Sequence, residues 1–389
     1  MAELILGEAL ECIIDHRGKT PKKLGGDFVD LGVPVASAML VRQGKLHIEE
    51  ARCIPEEMYR KWMPVPTERN DVLLTSEAPL GRVALVANDN PLVLGQRLFG
   101  LRGKKGILDG GFLFYALQSS FAQKELRSRA SGTTVLGIRQ SELLKIRIPG
   151  PNFREQQSIA RILGTLDEKI VSNDRVTTYC DELRRTRLAE ANYASTKNIP
   201  LSSTARFING RAFTKDATGH GRMVIRIAEL NSGPGASTVW NDLRVQDVHL
   251  ARAGDILFAW SGSLTVSRWF RSESVINQHI FKVIPNEGFP NWLIFESINT
   301  KLEDFRSIAA DKATTMGHIQ RHHLDELVTV PDSVAIENLD RQLGPLWDRA
   351  LAAEIENLTL TELRDTLLQQ FMSGELRVKD AEILVEDAV

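Results

Sequence analysis

His318, His322 and His323 cluster in the sequence, and histidines so placed could bind a metal ion. Imidazole nitrogens suit zinc and other transition metals, but such a site draws three or four ligands from one cluster. No cysteine and no close carboxylate pattern completes this one, and the matching places in the first half of the chain hold Gly137, Ser141 and Glu142. Other chemistries fail in the same way. Arg42-Gln-Gly-Lys-Leu46 lacks the glycine spacing and the hydroxyl of a phosphate-cradling loop, and there is no Gly-x-Gly-x-x-Gly, Gly-x-Ser-x-Gly or His-Glu-x-x-His. Asn88-Asp-Asn-Pro-Leu92 lacks the second proline and the aromatic of an Asn-Pro-Pro-aromatic motif. No catalytic residue and no metal ligand is therefore expected. Cys12, Cys53 and Cys180 share no close spacing and are read as packing residues of a reducing, cytoplasmic setting.

The chain says nearly everything twice. Leu163-Gly-Thr-Leu-Asp167 returns as Leu343-Gly-Pro-Leu-Trp347, and Glu182-Leu-Arg-Arg-Thr-Arg-Leu188 returns as Glu362-Leu-Arg-Asp-Thr-Leu-Leu368, both 180 positions later. Asn70-Asp-Val-Leu-Leu74 is answered by Gly254-Asp-Ile-Leu-Phe258, and Val93-Leu-Gly-Gln-Arg-Leu-Phe99 by Val275-Ile-Asn-Gln-His-Ile-Phe281. Gly132-Thr-Thr134 is answered by Ala313-Thr-Thr315. A half-chain period is far longer than the roughly 20–50 residues of a solenoid unit, so the chain is two copies of one module.

Two textures alternate within each copy. Residues 1–152 and 198–332 carry short β-type runs such as Val83–Val86, Ile146–Ile148, Val224–Ile227, Asp255–Phe258 and Leu327–Val330, broken by Gly, Pro, Asn and Asp. Short helices are expected at 110–127 and 291–308. This reads as a compact α/β (α+β) module and not as a doubly wound sheet. Residues 153–197 and 333–377 instead carry apolar residues at steps of three and four over about five heptads, the pattern of a coiled-coil seam. Two long antiparallel helices packed on each other satisfy that pattern, with Leu166, Ile170, Leu183, Leu346, Leu363 and Leu367 facing the partner helix. Pro345 lacks an interior amide donor, so a bend or a fresh helix start is expected there. Asn173 and Asn357 lie near the seam. The expected order is thus module 1–152, helix 153–197, module 198–332, helix 333–377 and an acidic tail 378–389, a pseudo-twofold internal repeat.

Composition excludes several classes. No apolar run approaches the ~18 residues of a membrane span, and Met1-Ala-Glu-Leu lacks the start of a secretory signal. The net charge of −2 over 389 residues does not mark a nucleic-acid binder, but it is uneven. Residues 1–152 hold 21 Lys/Arg against 17 Asp/Glu, and residues from 333 onward hold 5 against 12. A mildly basic first half permits DNA contact without demanding it.

With the duplication, the run Pro151-x-x-Arg-Glu-Gln-Gln-Ser-Ile-Ala-x-Ile-Leu163 and the run Glu362-Leu-Arg-Asp-Thr-Leu-Leu368 followed by Ser373-Gly-Glu-Leu376 complete a recognisable order. The chain resembles the specificity subunit of type I restriction-modification systems over essentially its whole length. It departs at Ile336–Leu343, where Glu-Asn-Leu-Asp-Arg-Gln replaces a Glu-Gln-containing pattern. The resemblance implies two target-recognition domains separated by helical spacers. It implies a bipartite, asymmetric duplex DNA site, one half read by each domain, and a role in DNA methylation and antiviral defence. It also implies a non-catalytic subunit whose partners are two methyltransferase subunits and, through them, a motor-nuclease. S-adenosylmethionine and ATP with magnesium would then sit on the partners, and this chain would hold no cofactor. The alternative is a coiled-coil scaffold whose modules bind protein.

Polar residues interrupt the strand patterns of the two modules at matched positions, and these are the expected base and phosphate contacts. In the first they are Arg17, Lys19, Ser76, Arg82, Gln96, Arg97, Thr133 and Thr134. In the second they are Arg211, Ser261, Ser263, Arg268, Gln278, His279, Thr314 and Thr315.

Overall fold

The computed structural model describes residues 2–190, 196–215, 217–311 and 317–386. They form two compact units, one comprising Met1–Lys169 with Leu360–Val389 and the other Ile170–Thr359. Each unit holds one module and a stretch of each long helix.

In the first unit a four-stranded antiparallel sheet runs in the order Leu10–Ile14, Leu98–Gly103, Val72–Thr75, Val83–Leu85. Val72–Thr75 is buried along its whole length, which explains why this strand is a continuous apolar run instead of an alternating one. Leu73 and Leu74 are fully covered, and burial of such a side chain contributes about 1.5–3 kcal/mol. The second unit repeats the sheet strand for strand: Ala205–Asn209, Ile280–Pro285, Ile256–Ala259, Thr265–Arg268. The register repeats too, with Phe99 opposite Leu74 and Phe281 opposite Phe258. A second small sheet pairs Val33–Ala36 in parallel with Val93–Leu94 in one unit, and Arg222–Ile225 in parallel with Ser274–Ile276 in the other. Two-stranded ribbons, Glu3–Ile5 with Arg147–Pro149 and Thr196–Pro200 with Leu327–Pro331, close each module.

An aspartate opens the central strand in both copies. Asp71 takes a bidentate grip from Arg102, at 2.9 and 2.8 Å, and Asp255 takes Lys282 Nζ at 2.7 Å. The expected short helices form at Gly110–Gln118 with Ser120–Ser128, and at Asn291–Asp311.

The long helices are Phe153–Glu190 and Ser333–Ser373. The first starts after Pro151 with a capping pair: Asn152 Oδ1 accepts the Glu155 amide at 3.0 Å, and Glu155 Oε2 accepts the Asn152 amide at 3.2 Å. Asp332 Oδ1 caps the second through the Ala335 amide. Inside the second unit the two helices run antiparallel. Asn357 Nδ2 donates to Asp174 Oδ1 and the Ile170 carbonyl, and one turn on Thr177 Oγ1 donates to the Ala350 carbonyl. Asn173 is buried in the same unit.

Three helix expectations need correction. The helix expected over 153–197 ends at Glu190, and Thr196–Pro200 is instead a strand paired with Leu327–Pro331. Pro345 makes no fresh helix start: it lies inside one continuous helix, with Leu343 and Trp347 buried on either side of it. Leu183 does not face a partner helix: it is 43 % exposed, and Arg184 beside it takes the inward position. Leu166 and Leu367 are buried as expected, while Ile170, Leu346 and Leu363 are half-buried. The acidic tail carries a helix, Val378–Glu386, that buries Ala381 and Val385 and pairs Glu382 with Arg161. Cys180 is buried, and Cys12 and Cys53 are half-buried thiols. No helix among the described residues is long and apolar enough to cross a membrane.

Candidate nucleic-acid interface

At one end of the first module's central strand, three backbone segments meet. The Ser76 amide donates to the Arg97 carbonyl at 2.8 Å, and the Ile138 amide donates to the Ser76 carbonyl at 2.9 Å. Glu77 bridges to Gly137, which also pairs with Ser131, so the loop bearing Thr133 and Thr134 is pinned at its base. Arg97 Nε reaches Glu77 Oε1 at 3.1 Å. The turn after Thr75 is held by that residue's hydroxyl, which donates to the Pro79 carbonyl and accepts the Arg82 amide. A Cβ at Gly81, whose φ is +89°, would meet the Gln123 amide at 2.8 Å.

Gln96 faces the other way, onto a cleft of about 590 Å³ that it shares with Lys19, Lys22, Phe28, Ser37 and Arg52. Lys19 Nζ donates to the Trp62 carbonyl at 2.7 Å, and Arg52 lies 3.7 Å above the Phe28 ring. Arg17 is exposed but tied to Asp15 through two bonds of 2.8 Å. Burial, helped by the charge of Lys19, pushes the nearby His16 imidazole below its usual range.

The second module rebuilds the same frame from different side chains. The Trp260 amide donates to the His279 carbonyl at 3.2 Å, and the Ile319 amide donates to the Trp260 carbonyl at 3.1 Å. Ser261 bridges to His318. The Trp260 ring lies 5.6 Å from His279 and 6.3 Å from His318. Ser263 Oγ accepts Asn231 Nδ2 at 3.1 Å, and Gln278 is exposed beside His279. Arg211 bridges to Asn277 and is exposed. Burial, then the charge of Arg211, pushes the His249 imidazole down.

Several sequence assignments change. Ser76 is only 2 % exposed, so its backbone, not its hydroxyl, builds the site. Its structural counterpart is Trp260, and Ser261 answers Glu77. Trp260 and Glu77 were both missed. The signal that could have found them is an aromatic and an acid breaking the apolar pattern where the central strand ends. Arg268 is not the counterpart of Arg82 and cannot reach a groove as it stands. Opposite Ile256 it occupies the place of Leu85, is 4 % exposed, and is held by Glu354 at 2.8 and 3.1 Å and by Asp181 at 3.4 Å. Thr265 takes the place of Arg82. The Arg82, Gln96, Arg97, Thr133 and Thr134 side chains are exposed; Thr314 and Thr315 lie outside the described residues. The histidine trio forms no metal-like group among the described residues. The group that does meet the geometry, His47, Glu49 and Glu50, is an ion-paired surface in which Arg42 holds Glu50.

Residues 59–176 match the type I restriction modification DNA specificity domain. Over 149 residues the chain is 32 % identical to the type I restriction enzyme MjaVIII specificity subunit of Methanocaldococcus jannaschii, which covers 37 % of this chain and 35 % of that protein. It is therefore similar to only about a third of that relative's length. The MjaIX specificity subunit of the same organism is 22 % identical over 347 residues, covering 80 % of this chain and 79 % of the relative. Among solved structures, the type I restriction-modification S subunit from M. genitalium superposes with a TM-score of 0.61 at 17 % identity, over 95 % of this chain and 96 % of that one. At that identity the likeness speaks for the fold.

Proposed function

We propose that this chain, which belongs to the type I restriction-modification specificity subunits, binds a bipartite asymmetric duplex DNA site and reads one half with each module. The observation that carries this reading is the repeated frame with exchanged side chains. The same hydrogen bonds hold buried Ser76 beside Glu77, Arg97 and Gly137 in one copy, and Trp260 beside Ser261 (4 % exposed), His279 and His318 in the other, so that Glu77 and Arg97 are exchanged for other side chains. A constant backbone with variable polar tips suits the major groove, where each base pair shows a distinct pattern of donors and acceptors. Lys19, Lys22 and Arg52 beside Gln96 suit phosphate contacts that set position without carrying sequence. On this reading the chain is non-catalytic and scaffolds two methyltransferase subunits, which bring S-adenosylmethionine, and through them an ATP- and magnesium-dependent motor-nuclease.

The test is a panel of alanine variants, assembled with the methyltransferase subunits and titrated with cognate duplex. Replacing Gln96, Arg97, Gln278 or His279 should each cost about 1–3 kcal/mol of specific binding where it reads a base. Lys19→Ala should weaken all duplexes alike and reduce the salt dependence. Arg268→Ala should act through the stability of the second unit. Unchanged affinity across the panel would refute this interface.

A further inference from the structure

Each module sits on the long helices of its own unit through a joint, and the two joints use exchanged parts. Gly110–Gln118 and Asn291–Asp311 correspond at an offset of 181: Gln118 Nε2 donates to the Phe114 carbonyl just as Asn299 Nδ2 donates to the Phe295 carbonyl. The long helices correspond at 180. These offsets place Tyr115 with Glu296, Gly111 with Trp292, Asp167 with Trp347, Ala160 with Asp340, and Arg364 with Arg184.

In the first unit the acid is on the long helix. Asp167 accepts Tyr115 Oη at 2.6 Å and Arg364 Nη1 at 2.7 Å. In the second unit the acid is on the module and the aromatic on the helix. Glu296 accepts Arg184 at 2.7 and 3.2 Å, with the Arg184 guanidinium 5.3 Å from the Trp347 ring and wholly buried. A second pair of positions is exchanged as well. A Cβ at Gly111 would lie 3.1 Å from that of Ala160, whereas Trp292 Nε1 donates to Asp340 Oδ1 at 2.7 Å. The arginine is common to both joints and meets two acids in each, but the acids come from different places: Asp167 and Asp365 for Arg364, Glu296 and Asp181 for Arg184.

We infer that these joints are keyed, and that Tyr115–Asp167 and Glu296–Trp347, with Gly111–Ala160 and Trp292–Asp340, position each module on its own pair of helices and reject the other module. A module of the second kind on the first joint sets Glu296 against Asp167, a third carboxylate at Arg364 beside Asp365, and drives the Trp292 indole at Ala160, which offers no acceptor. A module of the first kind on the second joint leaves buried Arg184 without its glutamate and Asp340 without its donor. The first mismatch crowds like charges, and the second leaves wholly buried Arg184 with Asp181 alone, the repulsive half of specificity. The inference stands on the two joints whatever the modules bind.

The test is a mutant cycle in the full-length chain, read by hydrogen–deuterium exchange of residues 110–118, with 291–311 as internal control. Tyr115→Glu and Asp167→Trp should each speed exchange of 110–118 about tenfold or more, and the double variant should return to within about threefold of the native rate, within the range of couplings measured for contacting residues. The control helix should not change. A double variant whose rate is the product of the two single effects would overturn the inference. Should Tyr115→Glu not fold, Tyr115→Phe and Asp167→Asn decide the same question: keyed positions give a double variant no faster than the worse single, and independent ones multiply.

Discussion

Exchanging residues 1–152 for the corresponding module of a relative should replace one half of the methylated DNA sequence and leave the other half untouched. The expectation rests on each module being built from its own parts. The first has its own central strand, its own apolar cluster around Leu73, Trp62 and Val93, and its own pinned loop at 130–138. The bonds described for the frame around Trp260 and His279 join it to His318 and Ile319 of its own unit. Methylome sequencing of a host that carries the chimera with its methyltransferase subunits reports both halves at once. The joint adds a condition: a donor module with a small residue at position 111 and a hydroxyl donor at 115 should be accepted by Ala160 and Asp167, while one carrying a tryptophan and a glutamate there should give little methylation until Asp167 is changed with it. Chimeras that scrambled both halves would contradict independent reading.

Much of this architecture was legible because burial writes itself into residue type. The repeat at 180 positions is written in returning segments, and the α/β modules and two helices in apolar patterning, although the first helix ends at Glu190 and not at 197. What was illegible depends on partners distant in sequence. Arg268 reads as an exposed basic residue at a strand end; only the pairing of Ile256 with residue 268, and the approach of Glu354, makes it a buried ion pair. Leu183 fits a helical seam by spacing, yet Arg184 wins the inward place because Glu296 and Asp181 await it. Pro345 breaks isolated helices, but packing on both sides of it outweighs the roughly 3 kcal/mol that an interior proline costs. At the interface Gln96 and Gln278 hold matching places, but Arg268 lies three residues beyond Thr265, the counterpart of Arg82. A slip of one along the strand end was enough to pair Ser76 with Ser261 in place of Trp260, because the apolar pattern ends there and no longer fixes register.

Asp71→Ala should destabilise the first unit by about 3 kcal/mol and leave the second unit's transition where it is. Asp71 is 2 % exposed at the start of the central strand and accepts both arms of Arg102 as well as the Glu68 amide. Removing one partner of a buried pair costs about 3–5 kcal/mol, because the remaining charge is left uncompensated. The lower end applies here, since Arg102 keeps Glu68 Oε1 at 2.6 Å and the Pro66 carbonyl at 2.8 Å. For a unit of this size the loss corresponds to a fall of about 6–12 °C in its melting temperature. Asp255→Ala provides the matched comparison in the second unit. Its carboxylate is more exposed, and Lys282 keeps the Leu250 carbonyl, so the expected loss is smaller, about 1–2 kcal/mol. The double variant Asp71→Leu with Arg102→Met separates charge from packing. If the aspartate acts by satisfying a buried guanidinium, removing both charges should recover much of the stability lost in Asp71→Ala. Calorimetry of the full chain decides it: a double variant that melts below Asp71→Ala would mean the ion pair itself orders the strand's first turn, and the attribution to an uncompensated charge would fail.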